Sequence, residues 1–361
     1  MKSRLIQVTV YVFICFCFSC KENEEIGLSN YIEVFPDTKR EWQGIPTIEY
    51  FDDNIYVAWY SGGVDEGPEN FVTLYRGDLS SGKWERDLKI IDPPGFIRAF
   101  DPVLWSDDKG KLFLFWNQSE GLWDGRGGVW SSFSLDPSSS DNSWSRPKRI
   151  ADGVMIQKPI YSGGGLFLPI AIWFFTLPNN QMAGSFIHRV DQFFNLINLT
   201  EVPLDRSLRS FDEHTILKIS DSVYRVYIRT KEGIHYSVSS DKGSSWSKAQ
   251  KDLTIGLSAD SKFFISRLNS GRYILIKNNS NEREKLTAYL SEDSNLCWEY
   301  SLEIDKRFGV SYPDLAENEA GELFLVYDRN RYTDKEIIIA KFKEEDIISS
   351  NIENVKYYIL R

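Results

Sequence analysis

Apolar residues run together or alternate with polar ones in six short stretches spaced along the chain, at residues 55–60, 112–119, 166–173, 224–230, 273–279 and 323–329. Runs of this length, rich in β-branched and aromatic residues, predict strands. Five of them follow a polar or Gly-bearing turn, as in Asp108-Lys109-Gly110-Lys111, Ser270-Gly271-Arg272 and Ala320-Gly321-Glu322. Their starts lie about 50 to 58 residues apart, the spacing of propeller blades. No long amphipathic helical pattern interrupts them. The expectation is an all-β chain folded as a six-bladed β-propeller.

About nine to twelve residues before each run, a shorter strand is predicted to begin. These beginnings are Gly44-Ile45-Pro46, Phe100-Asp101-Pro102, Gln157-Lys158-Pro159, Asp212-Glu213-His214, Lys262-Phe263-Phe264 and Ser311-Tyr312-Pro313. Four have Pro in third place, and Pro is tolerated at a strand's first residue, so it is read as the point of entry into the sheet. The first strand of a propeller blade lines the central axis. Asp101, Lys158, Glu213 and Tyr312 are therefore expected to converge at one end of the tunnel. They could instead satisfy turn hydrogen bonds or pair across the axis, but charges grouped in a concave site carry a desolvation cost that usually signals function.

Composition adds an address. Lys2 and Arg4, the apolar run 5–18 and then Ser19-Cys20 form an export signal. A small residue before Cys resembles the bacterial lipobox, which implies removal of residues 1–19, lipidation of Cys20, a linker over 20–30 and the propeller over 31–361. Lys21-Glu22-Asn23-Glu24-Glu25 resembles the charged tract that carries lipoproteins to the cell surface, so an exported outer-membrane lipoprotein, exposed at the surface, is expected. Loss of Lys2 and Arg4 would take the formal charge from −10 to −12. That balance disfavours nucleic acid as a partner. Cys297 alone remains in the body, so neither an internal disulfide nor a Cys-based zinc site is expected, and Cys297 is read as a core residue.

Ser239-Ser240-Asp241-Lys242-Gly243-Ser244-Ser245-Trp246 fits the Asp-box pattern Ser-x-Asp-x-Gly-x-x-Trp, and residues 291–298 repeat it with Asn295 in the Gly position. In such a turn Asp caps the backbone, Gly takes the positive φ and Trp packs between strands. Looser remnants end at Trp84 and Trp144. With these motifs, the stretches Trp59-Tyr60-Ser61-Gly62-Gly63, Arg98-Ala99-Phe100-Asp101-Pro102, Asp124-Gly125-Arg126-Gly127-Gly128-Val129-Trp130 and Tyr327-Asp328-Arg329 resemble the sialidase superfamily, in particular bacterial sialidase-like BNR-repeat proteins. The resemblance covers roughly residues 43–347.

The resemblance implies three Arg residues on a substrate carboxylate, a Tyr nucleophile activated by a Glu, and an Asp acid/base. Glu213 and Arg229 match the family's Glu and second Arg, Arg283 matches the third, and Tyr312 is the candidate nucleophile. Where sialidases carry Arg-Ile-Pro, this chain has Gly44-Ile45-Pro46. The first Arg is absent from its place, with Arg40, Arg98 or Lys158 as candidates to reach the same region. For the acid/base, Glu69 or Asp65 is chosen from the loop 63–70, with Asp101 as rival. Trp59, Trp116 and Trp173 lie in strand patterns and are expected in the core, whereas Trp123 is placed in a loop and is the candidate to stack on a sugar ring. No His cluster suggests a metal, and no cofactor is expected.

These features point to an exo-acting glycoside hydrolase that cleaves a terminal acidic sugar from a glycan and works as a monomer. Two other readings use the same ring of residues: a non-catalytic glycan-binding surface protein, and a uronate polysaccharide lyase with Tyr312 as base and Lys158 as charge neutraliser.

Overall fold

The computed structural model describes residues 31–34, 40–78, 81–120, 127–139, 143–173 and 183–361. Six sheets, four of them built as sequential antiparallel meanders, are arranged as the blades of a propeller. Each run that the sequence marks is the second strand of a blade: Asn54–Ser61, Leu112–Glu120, Gly165–Ile172, Tyr224–Thr230, Tyr273–Asn278 and Glu322–Arg329. These strands are covered on both faces by neighbouring blades, which is why they read as nearly continuous apolar runs. The outer strands Lys83–Ile91 and Leu196–Val202 are mostly exposed and carry no such signal. The hydrophobic core is divided accordingly into six clusters, each centred on the seam between two adjacent blades. In the last blade Tyr31–Val34 lies parallel to Lys356–Leu360, so the two ends of the described chain close the same sheet.

Proline plays a different part from the one expected. Pro46, Pro102 and Pro313 do not open their strands but lie within Gln43–Phe51, Ile97–Ser106 and Val310–Glu317. At each, the register slips so that two residues face one: Ile45-Pro46 opposite Trp59, Asp101-Pro102 opposite Trp116, and Tyr312-Pro313 opposite Tyr327. A bulge tolerates a residue without an N–H, and it re-aims the side chain beside it. Ile45, Asp101 and Tyr312 all take positive φ, at 56°, 45° and 56°. Such a conformation is costly for a residue with a β-carbon, above all for a β-branched one, and needs the surrounding fold to impose it. The buried ring opposite each bulge supplies a rigid backing.

The turn in residues 239–246 is built by Asp241, whose Oδ1 accepts from the N–H groups of Ser244 and Ser245 at 3.0 and 2.9 Å. Gly243 has φ 80°, and Trp246 reaches the neighbouring blade to donate to Thr200 Oγ1 at 2.9 Å. In the repeat at 291–298 the left-handed residue is Leu296, not Asn295, so the turn is shifted by one position. Cys297 is exposed on that turn and is not a core residue. The export segment with Cys20, and Trp123, lie outside the described residues.

Candidate functional site

The three bulges and the start of the fourth blade's inner strand meet at one end of the axis. They line a cavity of about 330 Å³ together with Glu66, Arg98, Arg229, Arg283 and Arg331. Phe100, Trp173 and Phe211 form an apolar wall.

At its base, Tyr312 donates its phenol hydrogen to Glu213 Oε1 at 2.8 Å, and Arg229 Nη1 donates to the same phenol oxygen at 3.0 Å. Arg229 Nη1 also lies 2.8 Å from Glu213 Oε2, as an ion pair that is not aligned as a hydrogen bond. Asp260, itself held by Ser210, fixes Arg229 Nε at 2.6 Å. Glu213 is placed by the short turn before its strand, in which its N–H donates to Phe211 O, and its carbonyl accepts from Arg229 N. Burial, followed by the charge of Glu213, pushes the Tyr312 phenol well above its ordinary value, while Arg229, Arg283 and Arg331 pull it back. The phenol is therefore neutral at rest, with its proton already directed at a carboxylate.

Two guanidinium groups flank the Tyr312 ring, that of Arg331 at 4.3 Å and that of Arg283 at 5.2 Å from its centroid. Glu66 stands between Arg98 and Arg331, at 3.6 and 3.8 Å. Asp101 is 2% exposed, and its Oδ1 has no hydrogen-bond partner among the described residues. Burial, and next the charge of Glu66, raise its carboxyl to about 8, against the pull of Arg98. Near neutral pH Asp101 holds a proton that it can give away.

Asp101, Glu213, Tyr312, Arg229, Arg283 and Arg98 therefore come together as expected. Lys158 does not. The inner strand of its blade begins at Val154, so Lys158 falls further along the axis, at the opposite end of the tunnel. There it pairs with Glu49 at 2.5 Å and lies 3.7 Å from Asp314. This removes the charge neutraliser from the lyase reading. Glu69 is exposed and does not line the cavity, and Asp65 accepts from the Tyr332 hydroxyl at 2.7 Å. From that loop it is Glu66 that enters, because the buried Asn70 bonds Gly67 N, Gly62 O and Asp65 O and curls the backbone inward. Arg40 pairs with Asp87 against Trp59, Phe71 and Tyr75, away from the cavity. Trp59, Trp116 and Trp173 are buried core residues as expected, and Trp173 also borders the cavity.

Arg331 and Glu66 escaped sequence reasoning because both sit in loops, where no periodicity reports direction. The available signal for Arg331 was its place two residues beyond a well-marked strand.

A family model described as a BNR repeat-like domain matches residues 53–325. No curated protein matches the sequence. Among solved structures the chain is similar to a protein of unknown function from Dyadobacter fermentans, with 13% identity over 85% of this chain and 96% of that one and a TM-score of 0.68. It is also similar to the Hadza microbial sialidase Hz136, with 15% identity over 85% of this chain and 66% of that one and a TM-score of 0.67. A third is a leech intramolecular trans-sialidase complexed with 2,7-anhydro-Neu5Ac, with 14% identity over 90% and 71% and a TM-score of 0.66. At these identities the likeness is one of fold, a six-bladed sialidase-like propeller.

Proposed function

The chain belongs to the BNR repeat-like domain family, and from that premise we propose that it is an exo-acting glycoside hydrolase of sialidase type that removes a terminal acidic sugar from a glycan. The observation that carries this reading is the hydrogen-bonded relay of Tyr312, Glu213 and Arg229 at the base of the cavity.

A neutral phenol approaches an anionic sugar without the repulsion that a carboxylate nucleophile would meet. Arg283, Arg331 and the remaining Nη2 of Arg229 supply fork-like donors suited to a carboxylate. In the first half of the reaction Tyr312 Oη attacks the anomeric carbon as its proton passes to Glu213. The bond to the leaving oxygen breaks, and Asp101 gives that oxygen its proton. In the second half water attacks the anomeric carbon and gives one proton to Asp101, its other proton staying on the sugar's new hydroxyl, while the bond to Tyr312 Oη breaks and Glu213 returns to the phenolate the proton it had taken. The anomeric configuration is retained. Phe100, Trp173 and Phe211 offer apolar faces to the sugar and exclude water from the relay. The export signal and Cys20 support attachment of the protein to the outer membrane, where such glycans are met.

The reading is tested by incubating the protein with a panel of acidic glycans and analysing the products. Release of a free acidic monosaccharide supports it. A product absorbing as an unsaturated uronate, or binding without any product, argues against it.

A further inference from the structure

Gly44 lies in the first blade's inner strand, directly beneath the side chain of Arg331. A β-carbon added at residue 44 would come 2.7 Å from Arg331 Cδ and 2.8 Å from its Cγ and Nε. Gly44 has no positive φ to account for the absence of a side chain, so the space it leaves is what the position provides. The colliding atoms belong to the middle of the Arg331 stem, and both ends of that stem are fixed. Its backbone carbonyl accepts from Gln43 N at 3.3 Å, and its Nε donates to Asp328 Oδ2 at 2.8 Å. Asp328 is fully buried and is held in turn by Ile45 N at 2.7 Å and Ser311 Oγ at 2.6 Å. The guanidinium thus crosses from the last blade into the space above the first. It arrives with Nη1 no closer than 3.8 Å to a carboxylate and Nη2 at 3.4 Å from Ser311 Oγ. Its strongest donors are left for a ligand.

We propose that Arg331 is the specificity-determining anchor for the substrate's carboxylate, standing in for a side chain at position 44, and that Gly44 is glycine to admit it. The inference rests on the reading that this cavity takes an acidic sugar. Part-buried, with its side chain 10% exposed, anchored through Nε and presenting the outer edge of its fork, Arg331 is preorganised in the way that makes an arginine–carboxylate pair selective. It also ties recognition to closure of the ring, because the same loop places the Tyr332 hydroxyl 2.7 Å from Asp65 of the first blade.

The test measures binding of free N-acetylneuraminic, 3-deoxy-octulosonic, glucuronic and galacturonic acids by calorimetry, taking the tightest binder forward beside its methyl ester. Arg331→Ala is expected to weaken the acid by about 30-fold or more and the ester by less than about 3-fold. Arg331→Lys keeps the charge but loses the fork, and about 10-fold is expected. Gly44→Ala, which leaves every arginine in the chain, should weaken the acid in the same direction, and thermal melts verify that each variant folds. In the Arg331→Ala background, Gly44→Arg should recover part of the affinity. Equal losses for acid and ester, or Arg331→Ala and Gly44→Ala both binding the acid within about twofold of the unmodified protein, would overturn the assignment of Arg331 while leaving the acidic-sugar reading in place. An unmodified protein that binds none of the acids would overturn both.

Discussion

Asp101 should make the fold itself pH-dependent, and its removal should expose how much. The carboxyl is 2% exposed and is raised from 3.8 to about 8, first by burial and then by Glu66. A carboxyl with a raised folded-state pKa binds protons more tightly in the native state than in the unfolded one. Its stabilising protonation is fully present below about pH 4 and is lost as pH rises through about 8. At pH 7 the gap spans about three units, an upper bound of about 4 kcal/mol; relaxation and water entry make about 1–3 kcal/mol the realistic range. Asp101→Asn removes the titrating group while keeping its shape. Urea denaturation at pH 4.5, 6, 7 and 8.5 should find the variant close to the parent at the lowest pH and progressively more stable above it, with the difference level beyond about pH 8. Turnover should fall in the same variant, since an amide cannot donate the proton. A stability difference that does not change with pH, or that changes in the opposite sense, would refute the account of Asp101 as a buried proton holder.

Tyr312→Phe and Glu213→Gln should each reduce turnover of whichever acidic glycan the protein cleaves by about a thousandfold or more, with circular dichroism unchanged. Lys158→Met should leave turnover intact, because Lys158 lies at the far end of the axis, but should lower stability by about 3 kcal/mol in urea by leaving the part-buried Glu49 and the buried Asp314 without their cation. Asp241→Ala removes the acceptor for two backbone N–H groups of a surface turn, and should lower the melting temperature by a few degrees without affecting activity.

The second strands were legible because two blades cover each of them, which writes burial into sequence as an unbroken apolar run. Glu213 and Tyr312 were legible because equivalent places in repeated units can be aligned. That same alignment misplaced Lys158, since its blade's inner strand starts earlier, at Val154, and counting from Pro159 hid the offset. The prolines were correctly picked out but misunderstood, because a bulge and a strand entry present the same tripeptide. Glu66 and Glu69 differ only in which way one loop turns, and that is decided by the Asn70 side chain, which donates to Gly62 O and Asp65 O and accepts from Gly67 N. Gly44 read as a missing arginine. Only the fold shows that its space is filled from another blade.

Tyr312 is the proposed nucleophile. Acid-quenching the protein during turnover of its acidic glycan, followed by peptide mapping in a mass spectrometer, tests that role most directly. A glycosyl adduct is expected on the peptide containing Tyr312, absent from Tyr312→Phe. Turnover that persists in Tyr312→Phe, with no adduct in the parent protein, would contradict that role.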